Sequence, residues 1–274
     1  MTQTLLRWPA LLCASLTLAL AGCAAPRAPT SLRIDDSIRA VSQDSRVRYI
    51  VLHYTSANNE VSLRLLSQGN VSSHYLITDT PRPQVYRLVD ESRTAWHAGE
   101  SRWFKQVSVN PVSIGIELVN QGRTDLPQGQ ATWEPYSENQ IQALILLLKD
   151  LIARHGVKPE NIVGHSDIAP QRKTDPGPLF PWKRLAQAGI GRWYDEARAA
   201  TYWVSLQQQG VPDIAWFQRQ LELLGYACPQ TGKLDRETKN VLAAFQMHYR
   251  PHDYQGKPDA ETAAIMMALL EPRN

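Results

Sequence analysis

This sequence lacks a hydrophobic run long enough to span a bilayer: the apolar stretch from Leu11 to Leu20 falls well short of the roughly 20 residues that a membrane helix needs. It also lacks any block of like charge. Its 29 Lys and Arg are interleaved with 26 Asp and Glu for a net +3, so there is no clustered basic face for phosphates, and nucleic acid is excluded as a partner. Cysteine is scarce, with three in all. What remains is ordinary for a soluble fold, at 43% hydrophobic and 20% charged. A chain of 274 residues accommodates one medium domain with a real core and a small second one.

The first specific signal is at the N-terminus. Arg7 is the only charge before position 23, and the short apolar stretch that follows fits the h-region of a secretory signal. It ends in Leu20-Ala21-Gly22-Cys23, which resembles the bacterial lipobox. That resemblance implies cleavage after residue 22, acylation of Cys23 and stable membrane attachment through more than one acyl chain. Ala24 is not the Asp that holds such proteins in the inner membrane, so the expected location is the outer membrane, facing the periplasm. Cys13 leaves with the signal, so Cys228 is expected to be the sole free thiol, without an intramolecular disulfide, and is read as a buried small hydrophobe.

Residues 23–45 are polar, contain Pro and show no sustained period, which predicts a tether. Strands are predicted at Tyr49 to Tyr54, His74 to Ile77, Val85 to Val89 and Ser113 to Val119. A helix is predicted from Ser137, with the Ser hydroxyl as cap, Gln140 reaching back, and Ile141, Leu144, Ile145, Leu148, Leu151 and Ile152 on one stripe. The fold class is therefore α/β, a mixed central sheet flanked by helices over 46–189. Residues 190–210 read as an interdomain segment. From 211 to 274 an internal repeat appears: Gly232-x-x-Asp235-x-x-Thr238 recurs as Gly256-x-x-Asp259-x-x-Thr262. In each copy the Gly takes a turn and the Asp caps an apolar helix, and with the helix from Trp216 to Leu224 this predicts a small three-helix domain.

Three segments carry chemistry. His53 lies in the strand YIVLHY, sharing a face with Val51; His165 lies in GHSDIAP; Asp175 follows it by ten residues in KTDPG. Two imidazoles and a carboxylate are what a catalytic zinc ion takes as protein ligands, with a fourth position open for water. Glu117 stands inside the apolar strand SIGIELV, where a carboxylate needs a reason to be. Lys173 precedes Asp175 by two.

The segments VLHYT, VSSHYLI, AWHAG, SIGIELVN and GHSDIAPQRKTDPG, in this order between residues 48 and 183, resemble the zinc N-acetylmuramoyl-L-alanine amidases of the peptidoglycan-recognition superfamily, in particular their periplasmic lipoprotein branch. The C-terminal repeats resemble a peptidoglycan-binding module of wall hydrolases. The resemblance implies a monomeric zinc enzyme acting on peptidoglycan and muropeptides, with His53, His165 and Asp175 as metal ligands, Glu117 as general base and Lys173 stabilising the oxyanion. It also implies a cleft-wall position and a substrate contact for His97, and strand alternation, which turns Tyr75 to the face opposite His74, makes Tyr75 a further candidate substrate contact. One departure is Ser73, where phage-type members carry a Tyr, which shifts proton transfer onto Glu117; His74 is read as a hydrogen-bonded packing residue. Two other readings stay open: a non-catalytic peptidoglycan receptor, against which the three filled ligand positions argue, and a zinc peptidase acting within the stem peptide.

Overall fold

A computed structural model describes residues 31–127 and 131–272, so the signal segment and Cys23 lie outside the described residues. The described residues divide into two units, one ending at Gln43 and one beginning at Asp44. In the first, residues 31–43 form no helix or strand, and Leu32, Ile34, Ile38 and Val41 are exposed. Among the described residues no helix is long and apolar enough to cross a membrane.

The second unit is built on a five-stranded mixed sheet. Its strands are β1 (Tyr49–Tyr54), β2 (Tyr75–Ile77), β3 (Val85–Arg87), β6 (Ser113–Leu118) and β9 (Ile162–Gly164), in the order β3-β2-β6-β1-β9. Only the β2–β3 pairing is antiparallel; β2–β6, β1–β6 and β1–β9 are parallel. Two small hairpins, β4 (Arg102–Trp103) with β5 (Gln106–Val107) and β7 (Arg123–Asp125) with β8 (Ala131–Trp133), lie outside it. The central strand β1 is buried on both faces, which is why its sequence is a nearly continuous apolar run.

One face of the sheet offers Ile50, Leu52, Ile114, Ile116 and Leu118 to helix α2 (Glu138–His155), whose Ile141, Leu144, Ile145, Leu148 and Leu151 form the facing stripe. Each such fully buried aliphatic contributes about 1.5–3 kcal/mol. Ser137 caps α2 by accepting from the Gln140 amide at 3.2 Å, and Gly156 ends it in the left-handed conformation. The Gln140 side chain does not reach back as expected. It donates instead to the carbonyls of Ile77 and Val119 at 3.2 and 2.9 Å, tying the ends of β2 and β6 to the start of α2. Helix α1 (Asn59–Gln68), capped by Asn58, was not predicted.

Beyond β9 come the short helices α3 (His165–Ile168) and α4 (Trp182–Gln187), then α5 (Glu196–Gln209) and the three C-terminal helices α6 (Ile214–Leu224), α7 (Arg236–Tyr249) and α8 (Ala260–Leu270). Both repeats behave as expected: Asp235 accepts from the Thr238 amide at 2.8 Å and Asp259 from the Thr262 amide at 2.7 Å, while Gly232 and Gly256 take positive φ. The three-helix region is not set apart, however. Tyr49, Val51 and Val163 of the sheet belong to one apolar cluster with Ile168 and Ala169 and with Phe217, Leu221, Tyr226, Val241 and Phe245. About 65 residues bury too little surface alone to be very stable, and here the helices share a core with the sheet. Cys228 is half-buried rather than fully buried, with its thiol pushed up to about 12 by burial and then by Asp235.

Candidate active site

The carboxyl ends of parallel strands leave a crevice where side chains from different segments converge. His53 is near that end of β1, His165 begins α3 directly after the neighbouring β9, and Asp175 sits on the loop that follows. The loop is pinned where the Ser166 amide donates to the Asp175 carbonyl at 2.8 Å. The outcome is a near-equilateral triangle of donor atoms: His53 Nδ1 to His165 Nδ1 is 3.0 Å, His53 Nδ1 to Asp175 Oδ2 is 3.0 Å, and His165 Nδ1 to Asp175 Oδ2 is 3.1 Å. All three residues are buried. A tetrahedral ion with bonds of about 2.0–2.1 Å has donor edges of about 3.3 Å, so this triangle fits a divalent cation.

The hydrogen bonds behind the triangle aim its lone pairs. His165 Nε2 donates to the Ala98 carbonyl at 3.0 Å, which leaves Nδ1 as the acceptor facing its neighbours. His53 Nε2 lies 3.1 Å from His97 Nδ1, and His97 Nε2 lies 3.0 Å from Ser113 Oγ. With each Nε2 donating, the chain runs outward to the serine and His53 Nδ1 is likewise left as an acceptor. Burial, then the nearby His165, lowers His53 to about 4, and burial lowers His97 well below the ordinary histidine value. Burial opposes ionisation of Asp175, but His165 and His53 together hold its carboxyl well below the usual carboxylate range. An ionised carboxylate facing imidazole lone pairs is the state that cation binding requires.

Glu117 shares the sheet face of His53, since the two are register partners on β6 and β1. It lines the same cleft of about 430 Å³, and its Oε2 is shielded from water without a hydrogen-bond partner among the described residues. Burial, then the Asp175 carboxylate, raises its pKa well above the ordinary glutamate value, while Lys173 pulls it down. Lys173 lines the cleft beside it. The five residues His53, His165, Asp175, Glu117 and Lys173 are thus brought together from four separate stretches of chain.

Of the two expected substrate contacts, Tyr75 is placed away from the cleft and His97 at it. Tyr75 does not line the cleft: its ring packs in the apolar cluster on the α2 side and its hydroxyl donates to Glu91, because alternation along β2 turns it to that face. His97 lines the cleft, with its ring nitrogens hydrogen-bonded to His53 and to Ser113, so it also orients the His53 imidazole. Its seat depends on Gly115, where an added Cβ would lie 2.4 Å from the imidazole. His74 is buried; its Nδ1 accepts from the Gly115 amide at 3.0 Å, and burial lowers it to about 4. The sequence reading missed Arg172, whose guanidinium donates to the Glu100 carbonyl at 3.1 Å behind His165, and Trp96, which is 62% exposed on the cleft wall. Arg172 had a signal in its place beside Lys173; Trp96 stood in the quoted AWHAG segment without a role.

The description N-acetylmuramoyl-L-alanine amidase belongs to the family model that matches residues 43–178, and a putative peptidoglycan binding domain matches residues 210–266. The N-acetylmuramoyl-L-alanine amidase AmiD of Escherichia coli K12 is 44% identical over 262 residues, covering 93% of this chain and 94% of that protein. The 1,6-anhydro-N-acetylmuramyl-L-alanine amidase AmpD of Enterobacter cloacae is 42% identical over 102 residues, covering 37% of this chain and 49% of that protein. Among solved structures, AmpDh3 of Pseudomonas aeruginosa superposes with a TM-score of 0.80 at 41% identity, covering 87% of this chain and 98% of that one. AmiD of E. coli, in complex with the substrate anhydro-N-acetylmuramic acid-L-Ala-D-γ-Glu-L-Lys, superposes with a TM-score of 0.79 at 44% identity, covering 86% and 93%. With sequence likeness along nearly the whole chain, the same fold and the His-His-Asp triangle at its crevice, the chain belongs to the N-acetylmuramoyl-L-alanine amidase family.

Proposed function

We propose that this chain uses one zinc ion to hydrolyse the amide between N-acetylmuramic acid and L-alanine in peptidoglycan or muropeptides, as a monomer held to the outer membrane by acyl chains on Cys23 and facing the periplasm. The observation that carries the chemistry is the donor triangle of His53, His165 and Asp175 with a Glu117 oxygen beside it that has no hydrogen-bond partner among the described residues. Two imidazoles and one carboxylate suit zinc among the common divalent ions. The ligand class follows from the relatives: AmiD is described with an anhydromuramoyl tripeptide and AmpDh3 with an anhydromuramic pentapeptide. The location rests on Leu20-Ala21-Gly22-Cys23.

Zinc bound by the three ligands would supply a Lewis acid and lower the pKa of its water toward about 7. Glu117 takes the proton of the attacking water at Oε2 and delivers it to the nitrogen of the departing L-alanine. Its burial makes the ionised carboxylate a stronger base than a solvated one. The Lys173 ammonium stabilises negative charge on the lactyl carbonyl oxygen. His97 and the Ala98 carbonyl hold the imidazoles in the required tautomers. Trp96 offers an exposed ring on the wall of the cleft.

The test is digestion of purified sacculi with and without a chelator, read by mass spectrometry. The expected products are stem peptides with free L-alanine amino termini and peptide-free sugar, lost with chelator and restored by zinc. Cleavage within the stem, with the sugar-peptide link intact, would instead favour a zinc peptidase. For the anchor, Cys23→Ala is expected to move the protein from the membrane to the soluble fraction.

A further inference from the structure

We propose that the C-terminal helices are a positioning part of the metal centre, with Tyr226 and His248 acting through Asp167 to hold the turn that presents His165. The proposal rests on the metal reading above and extends it to a region whose family resemblance concerns wall binding alone. Asp167 lies two residues after His165 and is 1% exposed. Its carboxylate accepts from the Gly164 amide at 2.7 Å, from the Tyr226 hydroxyl at 2.7 Å and from His248 Nδ1 at 2.8 Å. A buried carboxylate is tolerated only when its oxygens are satisfied, and both side-chain donors come from beyond residue 210.

Those donors are themselves locked. The His248 ring stacks on Trp182 at 3.8 Å and 11°, and Tyr226 packs edge-on between Trp103 and Phe245 at 5.0 and 5.9 Å. On the other side, tolerance is small. A Cβ on Gly164 would lie 2.6 Å from Pro176 Cδ, so the segment bearing His165 and the one bearing Asp175 are in contact at their closest limit. The Ser166 amide bonds the Asp175 carbonyl across the same gap at 2.8 Å. Releasing Asp167 therefore frees α3 to tilt and moves two corners of the triangle together.

The test uses the full chain from residue 24 onward and measures Zn²⁺ affinity by chelator competition and the absorption spectrum of the Co²⁺ form. Tyr226→Phe keeps the packed ring and removes the donor; His248→Ala removes the other, and His248→Asn returns an N–H near the Nδ1 position. Thr238→Val is the control, since it deletes a buried 2.8 Å hydrogen bond with Gln218 inside the helical region without touching Asp167. Expected are an affinity about 10-fold weaker for Tyr226→Phe and for His248→Ala with an altered Co²⁺ spectrum, partial recovery in His248→Asn, and native affinity in Thr238→Val. Native affinity and spectrum in Tyr226→Phe would overturn the proposal, as would an equal loss in Thr238→Val, which would make the effect one of general stability. Should His248→Ala not fold, Tyr226→Phe decides alone. Failure of the unsubstituted chain to bind either metal is a distinct outcome that removes the metal reading itself.

Discussion

At the scale of single residues, two carboxylates show how surroundings set chemistry. Glu117, whose Oε2 has no hydrogen-bond partner among the described residues, is pushed up by burial; Glu91 is surrounded by donors and pulled down. Replacing Glu117 by Gln is expected to lower hydrolysis by about 10²–10⁴-fold, the usual contribution of a general base, while zinc still binds at one ion per chain. Metal content by atomic absorption beside the turnover rate checks both halves. Glu91 receives Arg154 at 2.8 Å, His155 at 2.7 Å and the Tyr75 hydroxyl, and the Arg154 hydrogen bonds above all hold it at about 2 against an ordinary 4.5. A carboxyl depressed in the folded state adds stability above its unfolded pKa and loses it as pH falls toward the folded one. Glu91→Gln is therefore expected to cost on the order of 1–2 kcal/mol at pH 7, discounted for the half-exposed arginine, with the difference from the native chain fading between about pH 4.5 and 2. Urea unfolding at pH 7 and pH 3 measures it. His53, His165 and Asp175 could be picked out of the sequence only as a set, since together they supply the two imidazoles and one carboxylate that zinc takes, in segments that resemble a known family; singly each was a weak signal. The fates of Tyr75 and His97 were not legible there, since which partner a ring finds depends on segments remote in the chain.

Among elements, the repeated helices show what a motif reveals and what it hides. Gly232, Asp235, Gly256 and Asp259 announced turns and caps because those jobs need particular residue types. The residues that hold the two turns did not announce themselves. Gln218 of α6 accepts from the Gly232 amide at 2.7 Å and donates to the Lys233 carbonyl at 3.1 Å. Gln246 of α7 does the same for Gly256 and Lys257, both at 2.8 Å. The glutamines precede their glycines by different spacings, so no period marks them. Gln246→Leu leaves a buried amide and carbonyl unsatisfied and is expected to destabilise the fold by about 2–3 kcal/mol, visible as a lowered Tm. Gln140 is a similar case, a helix-start residue drawn to strand ends. The long helix α2 was easy to read from its stripe, whereas β9 and the two small hairpins were too short to carry a pattern.

For the whole molecule, the shared apolar cluster decides how separable the parts are. A tethered wall-binding module would raise local substrate concentration and could be removed at little cost to catalysis on soluble fragments. Here removal of residues 211–274 strips Phe217, Tyr226, Val241 and Phe245 from a cluster that includes Tyr49, Val51 and Val163 of the sheet. The truncated chain is expected to lose hydrolysis of a soluble anhydromuramoyl tripeptide as well as of sacculi, and assays on the two substrates in parallel distinguish this from simple loss of wall binding. By itself the sequence determined the chemistry on offer, the α/β class and the main helices and strands, because local period, caps and ligand types are properties of short stretches. Only the tertiary structure decided that the donor atoms close into a triangle with edges of 3.0 to 3.1 Å, that His97 stands behind His53, and that Asp167 reaches the C-terminal helices. Those arrangements arise where buried polar groups find partners across distant segments, and no single stretch encodes the meeting.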